Sequence, residues 1–140
     1  MYIDAEKLMI GDYIRTKHGN IAIVDIVWKD AIFTKEGEFE GEEFAEDEFE
    51  PIPLTPEILE KNGFTYYESD GSFVLPTTMS YGNWDVDVVL FNVTHEYRNN
   101  QLHIATPDDS IILLHLMECN HVHELQHALR LCGIDKEIKL

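Results

Sequence analysis

The apolar residues of this chain come in short runs closed off by turn-forming residues, and this punctuation decides what it can fold into. Tyr13–Arg15 leads into His18–Gly19–Asn20, Ile21–Trp28 follows as a strongly apolar run, and Lys29–Asp30 breaks it before Ala31–Thr34 and Gly37–Phe44. Such runs read as a meander of strands joined by tight turns. Within the second run Ile21, Ile23 and Val27 share one parity and Val24, Ile26 and Trp28 the other, with Asp25 interrupting the first set. Short strands need more than a hairpin for stability, so residues 1–50 are expected to curl into a small SH3-like β-barrel. Ile10–Gly11–Asp12 just before the first strand suits that architecture, although a flat small sheet covered by a helix would carry the same pattern.

Residues 51–140 form the second expected domain, an antiparallel sheet packed with a C-terminal helix, so the chain reads as α+β overall. Pro51–Ile52–Pro53 stops the preceding strand. Thr55–Pro56–Glu57 supplies an N-cap, a first-turn proline and an early acid for a linker helix over 56–62, and Gly63 sits where a C-terminal glycine belongs. Further on, Thr65–Glu68 and Ser72–Leu75 flank an Asp70–Gly71 hairpin turn, and Met79–Trp84 reads as a loop. Asp85–Thr94, Gln101–Ala105 and Ile111–Met117 read as strands. Asn120 and Gly133 bracket a last helix over about 121–131, in which Val122, Leu125, Leu129 and Cys132 form one apolar stripe.

Charge narrows the partners. The 140 residues carry 27 Asp and Glu against 10 Lys and Arg, a formal net charge of -17. From Glu36 to Glu96 sixteen acids face a single base, Lys61, and nine of those acids lie between Glu36 and Glu50. Phe39, Phe44 and Phe49 punctuate that run, as expected where phenylalanines pack inward and carboxylates face water. The run lacks the Asp/Asn ladder and central glycine of a calcium loop. So acidic a surface repels phosphates, which argues against nucleic acid and against anionic membranes. No basic region followed by an apolar run opens the chain, and the longest apolar stretch, Ile111–Met117, has seven residues and contains His115. Cys119 and Cys132 make no disulfide framework. A soluble cytoplasmic protein is the expectation.

One motif invites chemistry. His123–Glu124–Leu125–Gln126–His127 is a literal H-E-x-x-H, the spacing that places two imidazoles on one helical face for Zn²⁺ with the glutamate poised to activate a bound water. Three features weigh against a zinc peptidase. His123 and His127 project away from the apolar stripe, toward solvent. No H-x-x-G-x-x-H extension follows, with thirteen residues left after His127. No glycine-rich substrate edge or upstream helix is evident. A structural metal on Cys119, His121, His123 and His127 is a milder option, but His121 and His123 point about 200° apart on an ideal helix.

Pro51–Ile52–Pro53–Leu54–Thr55–Pro56–Glu57–Ile58–Leu59–Glu60–Lys61–Asn62–Gly63–Phe64, with Val122–His123–Glu124–Leu125–Gln126 and the opening Ile10–Gly11–Asp12–Tyr13, resembles a group of small uncharacterised proteins of Bacteroidetes phages and prophages. The resemblance covers the first 64 residues and the last helix, and the middle poorly. It brings no catalytic residue with it. In that group the position of His127 is often Asn, which implies that the H-E-x-x-H is a coincidence built on a structural segment.

The expected function is therefore that of a non-enzymatic accessory or protein-binding protein of a mobile element, with no cofactor and with its oligomeric state open. Trp28, Tyr81 and Trp84 are the candidate anchors for a protein partner, with Tyr66 and Tyr67 behind them. The alternative is a zinc-dependent hydrolase in which His123 and His127 ligate, Glu124 acts as base and a third ligand comes from His95, His103 or His115. A second alternative is an acidic DNA mimic.

Overall fold

A computed structural model describes residues 3–35, 42–68, 71–77, 80–81, 84–91, 101–105, 112–134 and 136–140. The chain divides into two compact units, one of Met1–Pro53 with His121–Gly133 and one of Leu54–Asn120 with Ile134–Leu140. The α+β class read from the sequence holds, with two five-stranded antiparallel sheets and one main helix.

The first unit opens with a short 3-10 turn at Ala5–Lys7 and continues with β1 (Tyr13–Thr16), β2 (Ile21–Val27), β3 (Ala31–Lys35), β4 (Glu42–Ala45) and β5 (Phe49–Pro51). Gly19, with φ at +80°, makes the first hairpin turn, a conformation that costs a glycine nothing. A 3-10 turn at Glu46–Glu48 joins β4 to β5, and the Glu48 carboxylate accepts from the Ala45 N–H at 3.0 Å. Strand β5 returns to pair with β1, giving the order β4-β3-β2-β1-β5, and among the described residues no pairing joins β4 to β5. Inside lie Ala5, Leu8, Ile14, Ala22, Val24, Ile32, Phe44 and Phe49, against which Ile3 and Val27 pack. Phe44 and Phe49 thus point inward from the acidic run, whereas Phe39 lies outside the described residues.

The parity conflict in Ile21–Trp28 resolves as a β-bulge. The register of β2 against β3 slips between Val24 and Ile26, so Asp25 is the extra residue. Ala22, Val24 and Val27 consequently face the core, while Ile21, Ile23, Ile26 and Trp28 face outward.

In the second unit Thr55 caps α1 (Pro56–Lys61), its hydroxyl accepting from the Ile58 N–H at 3.3 Å. The Asn62 side chain donates to Ile58 O and Lys139 O, both at 2.7 Å, and accepts from the Lys139 N–H at 2.6 Å, which fastens the C-terminal tail to this helix. The strands are β6 (Thr65–Tyr67), β7 (Ser72–Leu75), β8 (Ser80–Tyr81), β9 (Trp84–Asp85), β10 (Asp87–Phe91), β11 (Gln101–Ala105) and β12 (Ile112–Glu118). Five of them form a sheet in the order β12-β11-β10-β7-β6. Segment 79–84 was expected to be a loop. Instead β8 and β9 pair as a separate two-stranded hairpin, Tyr81 opposite Trp84.

The last helix, α2 (Val122–Leu131), corrects two expectations. It starts one residue later than expected, with His121 rather than Asn120 at the N-cap. It also belongs to the first unit, not to the second. The reason is its bonding: the Val122 N–H donates to Ile52 O at 2.8 Å, and Gln126 binds the backbone on either side of Asp12. The apolar stripe is Val122, Leu125, Ala128 and Leu129, while Cys132 sits at the helix end, half-buried.

Phe44 is wholly enclosed in the first core. Phe44→Ala is expected to lower unfolding free energy by about 3–5 kcal/mol, through lost transfer energy plus the cavity left behind. Denaturant titration followed by circular dichroism checks it, and a loss below about 1 kcal/mol would place Phe44 outside a packed core.

Candidate functional site

Residues 123, 126, 127 and 130 recur at helical spacing, so α2 has a polar face as well as an apolar one. That face is not open to water as expected. His123 is 6% exposed and Gln126 is buried. What covers Gln126 is the segment leading into β1. Asp12 is fully buried there; its Oδ2 accepts from the Met9 N–H at 2.7 Å and from His127 Nε2–H at 2.6 Å. Its Oδ1 lies 3.3 Å from Arg130 Nη1, an ion pair rather than a well-aligned hydrogen bond. Gln126 uses both ends of its amide, donating to Gly11 O at 3.0 Å and accepting from the Tyr13 N–H at 2.9 Å. Gly11 has φ at +95°, and a Cβ there would stand 3.1 Å from Arg130 Nη2. The Ile10–Gly11–Asp12 segment is thus the seat of the helix.

The histidines form a row along this face. His121 stacks on His123 with ring centroids 5.8 Å apart, and His127 meets His123 edge-on at 5.6 Å. Burial pushes the His123 pKa down from 6.5 to about 4, against the opposing pull of Glu124 and Asp12 and with a smaller push from His127 and His121. Its Nδ1 has no hydrogen-bond partner among the described residues.

This geometry engages the groups that zinc chemistry would need. Glu124 Oε1 lies 2.8 Å from His121 Nδ1, and His127 Nε2 is committed to Asp12. Among the described residues no group of three His, Cys, Asp or Glu side chains is placed to hold a metal ion. Of the proposed third ligands, His103 and His115 are opposite each other on β11 and β12 in the second unit, and His95 lies outside the described residues. Only the backbone of His115 is described.

The anchors named from the sequence fare differently. Trp28 is 50% exposed and packs edge-on against Phe33 at 5.0 Å. Tyr81 and Trp84 have described backbones only. Sequence reasoning missed the neighbours of Trp28: Ile21, Ile23 and Ile26 are 45%, 39% and 43% exposed on the same outer face. Register sets them in cross-strand rungs, Glu43–Phe33–Ile26, then Lys35–Ile23–Tyr13, then Ile21–Arg15–Glu50. The signal that could have found this row was Asp25, a charge breaking an apolar alternation where a bulge must fall.

Several acids of the 42–50 run have structural tasks. The Ala5 N–H donates to Glu46 Oε1 at 2.9 Å, and Arg15 pairs with Glu50 at 3.5 Å. Lys17 pairs with Glu48, a contact that raises the lysine pKa and, with the Ala45 N–H, lowers that of the carboxylate. An open cleft of about 500 Å³ runs between Arg15, Lys17, Gly19, Asp47, Glu48 and Phe49, and both of its bases are already paired.

Two outcomes test this seat. A histidine held neutral in the fold but free to protonate when unfolded destabilises the fold as pH drops from 6.5 to 4, and not above 6.5. The expected loss reaches about 3 kcal/mol across that window. Stability of wild type and His123→Phe measured at several pH values checks it, since the variant should show a flatter profile in that window. Asp12→Ala, which leaves His127 and Arg130 without their buried acid, is expected to cost about 3–5 kcal/mol. Hydrogen exchange should show α2 amides losing protection in Asp12→Ala; retained protection would mean the acid does not hold the helix.

Compared with known proteins, the chain matches no family model, no curated protein and no solved structure.

Proposed function

We propose that the chain is a non-enzymatic protein-binding protein, an accessory of a mobile element, whose first unit is a small SH3-like barrel. The observation that carries the binding reading is the outer face of β2, where Ile21, Ile23, Ile26 and Trp28 all stand between 39% and 50% exposed. Single exposed apolar residues are ordinary, but a row of them along one outward strand face marks an interaction surface. The barrel reading is supported by the β4-β3-β2-β1-β5 order, the bulge in β2 and the 3-10 turn between β4 and β5. The mobile-element setting rests on the sequence resemblance alone. The polar face of α2, engaged with Asp12 and the backbone beside it, supports a structural reading of the H-E-x-x-H segment.

The test replaces side chains that the fold does not need. Ile26→Ser with Trp28→Ser should change unfolding free energy by less than about 1 kcal/mol, since both side chains face outward. The same pair should remove proteins that the wild type captures from cells by cross-linking. Equal capture by both forms, with both folded, would overturn the reading.

A further inference from the structure

Resting on that reading, we infer that the occupant of the β2 face is a positively charged protein segment with an apolar centre, and not a second copy of this chain. The face itself supplies the apolar part: Ile26, Ile23 and Ile21 run down its middle, flanked by Phe33, Tyr13 and Trp28. Its own bases are already matched, Lys35 with Asp25 at 3.3 Å and Arg15 with Glu50 at 3.5 Å. Beyond Phe33 the next residue across the sheet is the exposed Glu43. Across β1, Glu50 of β5 ends the rung through Arg15 and Ile21. The whole first unit, 1–53 with 121–133, holds fifteen Asp and Glu against six Lys and Arg, a net charge of -9.

The surrounding potential therefore selects among partners that an apolar face alone would accept. Two copies of a chain at -17 repel as they approach, and nucleic acid or an anionic membrane is repelled likewise. A basic segment is drawn in, and its apolar centre then gains by burying the isoleucine row. Charge sets the encounter and the isoleucines set the residence time.

The experiment uses the full chain and three synthetic peptides: a leucine-rich centre flanked by lysines, the same centre flanked by glutamates, and a serine centre flanked by lysines. Binding is read by fluorescence of a dye on the peptide at low and at physiological salt. The lysine–leucine peptide is expected to bind at least about tenfold more tightly than either control, with the margin over the glutamate peptide shrinking as salt rises. Ile26→Ser with Trp28→Ser should weaken it by at least about tenfold, whereas Leu131→Ser, at a still more exposed apolar residue on α2, should leave it unchanged. If the glutamate peptide binds equally well and is lost in the same variant, the basic partner is overturned while the binding face stands. If sedimentation shows a dimer of the chain that the variant dissolves, the occupant is a second copy and the inference fails in the same way. If no peptide responds to the substitutions and the chain stays monomeric, both the inference and the binding reading fall.

Discussion

The buried carboxylate of Asp12 organises the first unit. A lone charge taken out of water is costly, and it persists only where opposite charges and donors surround it. Here the Met9 N–H, His127 and Arg130 converge on it, two of them from a helix more than a hundred residues away in the chain. The acid therefore decides where α2 can lie. It turns the polar face of the helix inward, and the apolar stripe of Val122, Leu125, Ala128 and Leu129 is buried as well. With both faces covered, the histidine motif becomes part of a joint, and His123 is forced into its neutral form by burial.

That joint explains why the sequence was legible in some places and opaque in others. Local rules carried the elements: Thr55 and Pro56 announce α1, and the Gln101–Ala105 run is the observed β11. Asp25 interrupted the apolar alternation, but the sequence reading drew from it neither the bulge nor which residues end up outside. The assignment of α2 to the first unit depended on a pairing over a separation of 115 residues, and no helical wheel contains it. A wheel ranks faces by hydrophobicity, so it sends His123, Gln126 and His127 to solvent. What brings them in is a glycine at +95°, which lets the backbone come close to Arg130, and a carboxylate that needs donors. The β8–β9 hairpin was missed for another reason: two paired residues on each side leave too short an alternation to read.

The outer face of β2 raises a different question, because β-branched residues favour strands wherever they point. Isoleucine on a solvent face can be there for backbone preference alone. Threonine would serve that preference while staying compatible with water, and it stands at Thr16 and Thr34 in this same sheet, pointing into the core. Isoleucine thus occupies both faces of this sheet, Ile14 and Ile32 in the core and Ile21, Ile23 and Ile26 outside with Trp28, while two threonines take core positions.

An exposed apolar row on a sheet is also a liability, since equal faces on neighbouring copies would pair. The charge of the chain answers this directly. At -17 two copies approach against mutual repulsion, and Glu43 and Glu50 end rungs that cross the row. On the proposed reading, the same charge that opposes pairing of copies leaves the row open to a cationic segment. On the proposed reading, acidity and exposed hydrophobicity, which look unrelated when read along the sequence, act on this sheet together: the first selects which molecules approach, and the second which of them stay.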